Sequence, residues 1–488
     1  MTPANLLFIC TDQHARGASG CYGHPLAWTP HIDRLAARGT RFTRAYTPSP
    51  ICVPARAALA TGRHVHQIGH WDNAFPYAGA VPSWAHLARE QGHRVAAIGK
   101  LHFSSGGEDH GFSEEILPLH VAGPGDLAGC IRDGTQVRSK RDEVEGAGPG
   151  SSSYLRYDAE VADAAVAWLA ERQRQPERRP WICFVSFVCP HPPYIAPWDA
   201  FARYSAAAVP LPPQWHPSEW PRHPALDSLR RFFGFDEPFP QEVLRRAIQA
   251  YLAACTYVDA QIGRVLSALE ACGLAATTRI IYTSDHGEHG GARGLFGKYT
   301  MYEESVGIPL ILAGPGVPQG RVVDTPVSLL DCFPTVLEGV GAASPEGDGH
   351  PGASLWRIAR SPSRDRTLLA QYHALGSQNA SFMLTDRRYK YVYHVGGPPQ
   401  LFDLAEDPGE RRDLAQSPAH RSLISCYERR LRRLVDPEAV DAQAKEEQRA
   451  KIAAFGGREA VLRRGVLRNS PVPDKGPAPP SPAPPAAN

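Results

Sequence analysis

Residues that can bind a metal ion follow two apolar, strand-like runs of the sequence. The run "NLLFIC" leads into Asp12 and Gln13, and the run "RIIYTS" leads into Asp285 and His286. Ligand sites of open α/β sheets form at the carboxyl ends of the strands. Two carboxylates, an amide oxygen and an imidazole together suit calcium, magnesium or manganese, and the imidazole favours manganese. The alternative is that each acid only caps a neighbouring turn.

Cys52 lies where the segment "PSPICVPARAALATGRH" changes from a proline-rich loop to an alanine-rich helix. The positive end of a helix dipole and its free N–H groups favour a thiolate, so we expect an acidified thiol. Arg56 follows about one helical turn later, and Gly62 ends the helix. The alternative is a buried structural cysteine, which is how most cysteines behave.

Strand-like and helix-like segments alternate along the chain to about residue 365. The segment "TPHIDRLAARG" predicts a helix that Thr29 caps and Gly39 ends, and "TRFTRAYT" alternates as a strand does. The continuous apolar runs "WICFVSFV" and "IPLILAG" are typical of strands buried on both faces. The pattern predicts an α/β fold, a three-layer sandwich around a large, mostly parallel central sheet.

The pattern changes after about residue 365. Four short strand-like segments, "TLLAQY", "SFMLTD", "YKYVYHV" and "QLFDL", lie close together and precede helical segments rich in arginine and glutamate. We expect a main domain over 1–365 and a smaller C-terminal α+β subdomain with an antiparallel sheet over 366–460. The stretch 461–488 is rich in proline and cannot build a core, so we expect a disordered tail there.

Composition argues against several classes of protein. The 52 basic and 50 acidic residues give a net charge of +2, whereas nucleic-acid binding needs a clear basic excess. No apolar run approaches a membrane span, and "MTPANLLFIC" lacks the basic region and apolar core of a secretory signal. We therefore expect a cytoplasmic protein with reduced cysteines. No two cysteines form a CxxC pair, which argues against a structural zinc site.

Several motifs occur together in an order that resembles one enzyme family. "CVPAR" resembles the C-x-P-x-R signature of the sulfatases, and "TGRH" continues it. Other segments of that family resemble "IGKLHF", "VCPHPPY", "GLFGKYTMYEES" and "QLFDLAEDPGERRDLA", over about residues 4–420. The chain thus resembles the formylglycine-dependent sulfatases, which belong to the alkaline-phosphatase-like superfamily.

The resemblance assigns a nucleophile and a metal site. Cys52 would be oxidised after translation to formylglycine by a formylglycine-generating maturation enzyme, and its hydrated aldehyde would provide the nucleophilic oxygen. Arg56 would hold that group and help to neutralise charge. One divalent ion is implied, calcium first, with manganese or magnesium as alternatives. Its ligands would be Asp12, Gln13, Asp285, His286 and the modified Cys52.

The same resemblance assigns roles to cationic and titratable residues. Lys100, Lys298 and Arg56 would stabilise the negative charge that spreads over the sulfate oxygens during S–O cleavage. His191 would protonate the leaving oxygen, and His102 would accept a proton in the step that releases sulfate. Taken singly, a lysine is usually a solvated surface charge and a histidine is usually a hydrogen-bonded packing residue.

We therefore expect a sulfuric ester hydrolase that acts on a small-molecule sulfate ester, with no nucleic-acid or membrane partner. Gln13 and His286 resemble the choline-sulfatase and phosphonate-monoester-hydrolase branches, so a phosphonate monoester or phosphodiester hydrolase is the alternative. A non-catalytic sulfate-binding relative is a third reading, which the complete set of charged residues opposes. The resemblance also leaves room for a homo-oligomer.

Three further groups have weaker signals. The segment "ATGRHVHQIGHWDN" suggests a loop over the site with Trp71, Asp72 and Asn73 near the substrate, rather than a zinc site. Glu288 and His289 follow the predicted metal ligands and are expected to support them. Three aromatic residues beside the motifs either contact the leaving group or pack in the core, namely Phe103, Tyr194 and Trp198.

Overall fold

An eight-stranded sheet forms the centre of the molecule, in a computed structural model that describes residues 2–344, 349–363, 365–465 and 469–473. Leu310–Ala313 runs against its two neighbours, and the other strands share one direction. The order across the sheet is Arg321–Val323, Gly39–Phe42, Leu310–Ala313, Thr278–Ser284, Asn5–Asp12, Ile182–Pro190, Val95–Lys100 and Glu114–Leu119.

The strand Asn5–Asp12 lies inside this sheet and is buried on both faces. Leu6 and Phe8 pack into one hydrophobic core, and Leu7 and Ile9 pack into the other. Successive side chains of a strand point to opposite faces, so a strand between two cores needs apolar residues at every position. This is why the sequence there is a continuous apolar run.

Helices cover both faces and complete the three layers that the sequence predicts. Pro30–Ala37, Ser153–Arg174 and Gln241–Ala271 pack on the face of Leu7, and Cys52–Thr61, Trp84–Glu90, Cys332–Val340 and Leu355–Arg360 on the face of Phe8. No described helix has the length and apolar character needed to span a membrane. The remaining helices of this part are Val65–Ile68, Arg141–Glu145, Trp198–Phe201, Pro224–Phe233 and Glu303–Val306.

A second, antiparallel sheet follows in the C-terminal part. Its four strands are Leu368–Tyr372, Ser381–Thr385, Tyr389–His394 and Gln400–Asp403, in that order. The helix Arg421–Leu434 packs on it through Tyr427 and Leu431. The helices Pro437–Ala454 and Arg458–Arg464 come next. The predicted fold class, a large mostly parallel sheet with a smaller antiparallel sheet after it, is confirmed.

Two local predictions are wrong. Thr29 precedes the helix but does not cap it, because its hydroxyl donates to the Asp33 carboxylate at 3.1 Å. The segment "TRFTRAYT" is not one strand: Gly39–Phe42 joins the large sheet, whereas Ala45–Tyr46 pairs with Val327–Ser328. Ala45–Tyr46 and Val327–Ser328 thus form a separate two-stranded sheet.

The structure also differs from the predicted tail, which was expected to begin at residue 461. The helix Arg458–Arg464 continues through this position, because Val461 is buried among the apolar residues around Leu127. Val472 packs against the core on the face of Leu7. The other residues of the predicted tail, 466–468 and 474–488, lie outside the described residues.

We expect Gly99→Ala to destabilise the fold. Gly99 has a φ of +99°, and a Cβ there would lie 2.2 Å from the Ser186 carbonyl oxygen on the neighbouring strand. Overpacking and the left-handed backbone together should lower the free energy of unfolding by about 3 kcal/mol. Gly273→Ala is the control, because Gly273 has a φ of +68° with nothing within 4 Å. Equal shifts of the urea midpoint for both variants would contradict the packing argument.

Candidate active site

Two neighbouring parallel strands bring their terminal acids together. Thr11 pairs with Ser284 in the sheet, so Asp12 and Asp285 emerge side by side at its carboxyl edge. His286 follows directly and Cys52 approaches from the start of its helix. One potential ligand atom from each of Asp12, Cys52, Asp285 and His286 lies within 4.8 Å of the others, and all four residues are buried. The structure thus gathers the predicted acids, imidazole and thiol in one place.

Arg56 bridges the two acids and holds them in position. Its Nε donates to Asp285 Oδ2 at 2.8 Å and its Nη2 to Asp12 Oδ2 at 3.4 Å. Its Nη1 donates to the Lys100 carbonyl oxygen and the Ser186 hydroxyl. The Arg56 side chain is 2% exposed, and these partners accept from four of the five N–H groups of its guanidinium. Arg56 therefore orients the two acids, and its predicted role in holding a group on Cys52 stays a prediction.

Two buried lysines complete the set of cations. Lys100 Nζ lies 2.6 Å from Asp12 Oδ2. Lys298 Nζ donates to Gln13 Oε1 at 2.6 Å and to Cys52 Sγ at 3.4 Å. Burial alone would raise the pKa of Asp12, but the Lys100 ammonium group, with Arg56 beside it, holds the pKa well below its usual range. Asp12 is accordingly ionised.

Cys52 is the first residue of the helix Cys52–Thr61, as the sequence predicts, but its thiol is not acidified. Burial raises its pKa, and Asp12 raises it further, against the opposing effect of Lys298. Loss of hydration outweighs the helix dipole at this fully enclosed position. Asn73 completes the helix terminus, because its Oδ1 accepts a hydrogen bond from the Val53 N–H at 3.1 Å.

Two histidines lie near this set. His102 Nε2 is 2.7 Å from the Ser470 hydroxyl, whereas its buried Nδ1 has no partner within the described part of the chain. Burial lowers the pKa of His102, with Lys100 and Arg56 adding to the effect. His191 Nδ1 lies 2.8 Å from the Pro192 carbonyl oxygen. Burial and Lys298 lower the pKa of His191, so both rings are neutral at pH 7.

Glu288 supports Gln13, as the sequence suggested. Its carboxylate accepts from Gln13 Nε2 and from the Tyr194 hydroxyl, the latter at 2.9 Å. Because Glu288 fixes the NH₂ group, the amide oxygen of Gln13 must face Lys298 and the acids. His289 does not touch the ligands: its Nε2 lies 2.8 Å from the Thr300 hydroxyl.

Known proteins resemble this chain in sequence and in fold. A family model described as "Sulfatase" matches residues 4–342, and one described as "N-sulphoglucosamine sulphohydrolase, C-terminal" matches residues 287–436. The chain belongs to the sulfatase family. It is 32% identical over 457 residues to the choline-sulfatase of Rhizobium meliloti (strain 1021), across 90% of this chain and 87% of the relative. It is 28% identical to the arylsulfatase K of Bos taurus, across 90% and 83%.

Solved structures agree on the fold. The phosphonate monoester hydrolase of Agrobacterium radiobacter superposes with a TM-score of 0.71 at 24% identity, across 90% of this chain and 96% of the neighbour. The phosphonate monoester hydrolase SpPMH from Silicibacter pomeroyi has a TM-score of 0.70 at 26% identity, across 88% and 94%. The predicted family and enzyme class, a sulfuric ester hydrolase, are confirmed by the family model and by the named sulfatases.

Four residues that the sequence associated with the substrate lie elsewhere in this sulfatase. Trp71 donates to Glu447 at 2.6 Å, and Asp72 accepts from Gln448 at 2.6 Å, so both attach their loop to a C-terminal helix. The other two are Phe103, which packs in the core on Tyr77, and Trp198, which is 70% exposed on the surface.

Sequence reasoning missed two contributors to the sulfatase site, Ser186 and Ser470, and placed a third, Asn73, near the substrate without finding its contact with the helix of Cys52. Ser186 orients Arg56 from a strand interior, Asn73 caps the helix of Cys52, and Ser470 reaches His102 from the C-terminal segment. Each acts by a hydrogen bond across a long sequence separation, and the two serines are common polar residues outside the motifs that carry the resemblance. No local pattern could have identified them.

We expect Arg56→Lys to destabilise the metal-free protein by about 3 kcal/mol, because a single ammonium group cannot satisfy two buried carboxylates. The measurement is urea unfolding followed by circular dichroism. Arg38→Lys is the matched control, since Arg38 pairs with Glu270 at the surface and should change stability by less than about 1 kcal/mol. Similar losses in the two variants would show that Arg56 does not hold the acids.

Proposed function

We propose that this sulfatase hydrolyses sulfate esters with a formylglycine made from Cys52 and one bound divalent cation. The observation that supports this most is the position of Cys52 Sγ, 3.2 Å from His286 Nε2 and 3.4 Å from Lys298 Nζ. A group there adjoins both the cation ligands and a cationic side chain. Formylglycine would supply an oxygen nucleophile at this place. Its formation needs an oxidant from outside the chain, hence the proposed maturation enzyme.

The donor set fits a divalent cation. The Oδ2 atoms of Asp12 and Asp285 are held by Arg56, which leaves their Oδ1 atoms facing His286 Nε2 at 3.7 and 3.6 Å. With the amide oxygen of Gln13 the set is rich in oxygen, which favours calcium, with manganese and magnesium as alternatives. The bound cation would polarise the sulfate group and stabilise its charge.

The remaining charges favour an anionic substrate. Arg56, Lys100 and Lys298 are buried cations, and Asp12 and Asp285 are the carboxylates they adjoin. Within this set of five groups the cations exceed the acids by one even before a metal ion binds, and Glu288 lies behind Gln13. In a site from which water is excluded, such fixed groups stabilise the charge that develops on sulfate oxygens without reorganising. Lys298 is the cation nearest to the nucleophile.

His191 and His102 are the groups proposed to move protons. His102 is neutral and its Nδ1 has no partner among the residues described, so it can accept a proton when sulfate is released. His191 is proposed to protonate the leaving oxygen. An anionic substrate beside His191 counteracts the effect of Lys298 and raises the pKa of the imidazole, which prepares it to act as an acid.

The test is the mass of the tryptic peptide 45–56 together with activity on p-nitrophenyl sulfate. In protein produced with a formylglycine-generating enzyme, we expect the peptide to lose the Cys52 sulfur and gain an aldehyde oxygen. Cys52→Ala should keep the unfolding midpoint and lose activity by at least about a thousandfold, because the nucleophile is absent. Active protein with an unmodified Cys52 would refute the proposal.

A phosphonate monoester or phosphodiester hydrolase is the second candidate. Gln13 and His286 favour it, and the chain is 26% identical to a phosphonate monoester hydrolase across most of its length. The same preparation should be assayed on p-nitrophenyl sulfate, choline sulfate, a p-nitrophenyl phosphonate monoester and a phosphodiester. We expect the highest kcat/KM on a sulfate; a higher value on the phosphonate or the phosphodiester would select the second candidate.

We expect Ser470→Ala to lower kcat about fivefold with little change in KM, because a hydrogen bond of about 1 kcal/mol holds the His102 ring. Steady-state kinetics on the preferred ester across pH measure this effect. Ser218→Ala is the matched control, since the Ser218 hydroxyl contacts His216 at 2.8 Å in an exposed loop. Faster turnover in Ser470→Ala would instead mean that the C-terminal segment obstructs the site.

A further inference from the structure

A second group of metal-ligating side chains lies outside the site described above. One potential ligand atom from each of His110, Glu115 and His120 lies within 4.8 Å of the others. His110 Nδ1 is 2.9 Å from Glu115 Oε1, and His120 Nε2 is 3.0 Å from Glu115 Oε2. We propose that these three residues, called here the His–Glu–His cluster, form a second divalent-cation site selective for zinc.

The backbone creates this cluster at the edge of the large sheet. Glu114 and Glu115 begin the edge strand, and their side chains point to opposite faces. Glu114 bonds with Arg94 on one face, which leaves Glu115 on the other face with the two histidines. His120 lies one residue beyond the strand end, and His110 belongs to the loop that precedes the strand.

The ligand types decide which ion fits. Two imidazoles and one carboxylate are a common three-residue zinc set, which leaves a fourth position for water. Calcium and magnesium prefer sets made of oxygen, so the His–Glu–His cluster and the oxygen-rich site at Asp12 should select different ions. The side chains of Glu115 and His120 are 23% and 16% exposed, so an ion can enter from solvent.

The orientation of His110 is already fixed for such a role. Its side chain is 3% exposed, its ring packs on Phe103 at 5.3 Å, and the Ser104 hydroxyl lies 3.4 Å from Nε2. A hydrogen-bond partner on the remote nitrogen is typical of histidines that bind metal through the other nitrogen.

A zinc ion here would connect two segments that position His102. The backbone N–H of His102 donates to the carbonyl oxygen of Leu119 at 2.8 Å, and Leu119 directly precedes His120. Ser104 contacts His110 and lies two residues after His102. Zinc at the His–Glu–His cluster would therefore link the segment after His102, through His110, to the segment that accepts the His102 N–H, through His120. The cysteine spacing argued against structural zinc, but that reasoning could not detect a histidine and carboxylate site.

The test is zinc binding by the full chain in the presence of excess calcium, which keeps the Asp12 site occupied by its preferred ion. Zinc per chain is measured by mass spectrometry of the metal after dialysis, and cobalt(II) absorption reports on histidine ligands. We expect one zinc equivalent in the wild type, and about 10- to 100-fold weaker zinc binding in His120→Gln. His216→Gln is the matched control, because His216 is exposed and its ring contacts the Ser218 hydroxyl and no residue of the cluster.

Two further measurements keep the result interpretable. Zinc should raise the unfolding temperature of the wild type and of His216→Gln but not that of His120→Gln, whose zinc-free unfolding temperature shows whether the variant folds. Asp285→Asn should keep the zinc. If Asp285→Asn loses the zinc and His120→Gln keeps it, the zinc lies at the Asp12 site. If the wild type and His120→Gln bind zinc equally, or if neither binds it, the His–Glu–His cluster is only hydrogen-bonded. Each of these outcomes overturns the proposal.

Discussion

The buried contact of Arg56 with Asp12 and Asp285 is the interaction on which the site depends. Two carboxylates at the ends of adjacent strands repel each other, and burial strengthens this repulsion. The guanidinium lies between their Oδ2 atoms and keeps them together without a metal ion. Its planar shape also turns both Oδ1 atoms to the same side. One residue thus creates the geometry of the donor set and explains why an arginine lies one helical turn after Cys52.

The C-terminal part of the chain contributes to this arrangement from outside the large sheet. Gln448 and Glu447 on one helix bond to Asp72 and Trp71, which immediately precede Asn73. Asn73 in turn caps the helix that presents Cys52. The position of the nucleophile is therefore fixed by a sequence of hydrogen bonds that begins near residue 448. The C-terminal part of the chain therefore helps to position Cys52 through the helix Pro437–Ala454.

The predictable parts of this molecule are those with a local signal. Continuous apolar runs located the strands, and the polar residue after each run located Asp12 and Asp285, because strand ends share one edge of a sheet. The thiol of Cys52 was misjudged because its pKa depends on burial, which the local pattern does not reveal. Ser470 was missed because a proline-rich composition predicts disorder even where one serine reaches His102. The function of Arg56 depends on the direction of its side chain, which a motif does not specify.

The charged residues of the site and the aromatic residues that line a neighbouring cavity come from different parts of the fold. A cavity next to Gln13 and His191 is lined by Tyr194, Phe235 and Phe296. Phe235 follows a peripheral helix and Phe296 belongs to a loop, whereas the acids and Arg56 belong to strand ends and a buried helix. A change of Phe235 or Phe296 alters the shape of this cavity without removing any charged group around Cys52, whereas a change of Tyr194 also removes a hydrogen bond to Glu288. The apolar residues of this cavity can therefore vary while the strand ends and the buried helix keep the charged residues of the site in place, because the two sets belong to different elements of the fold.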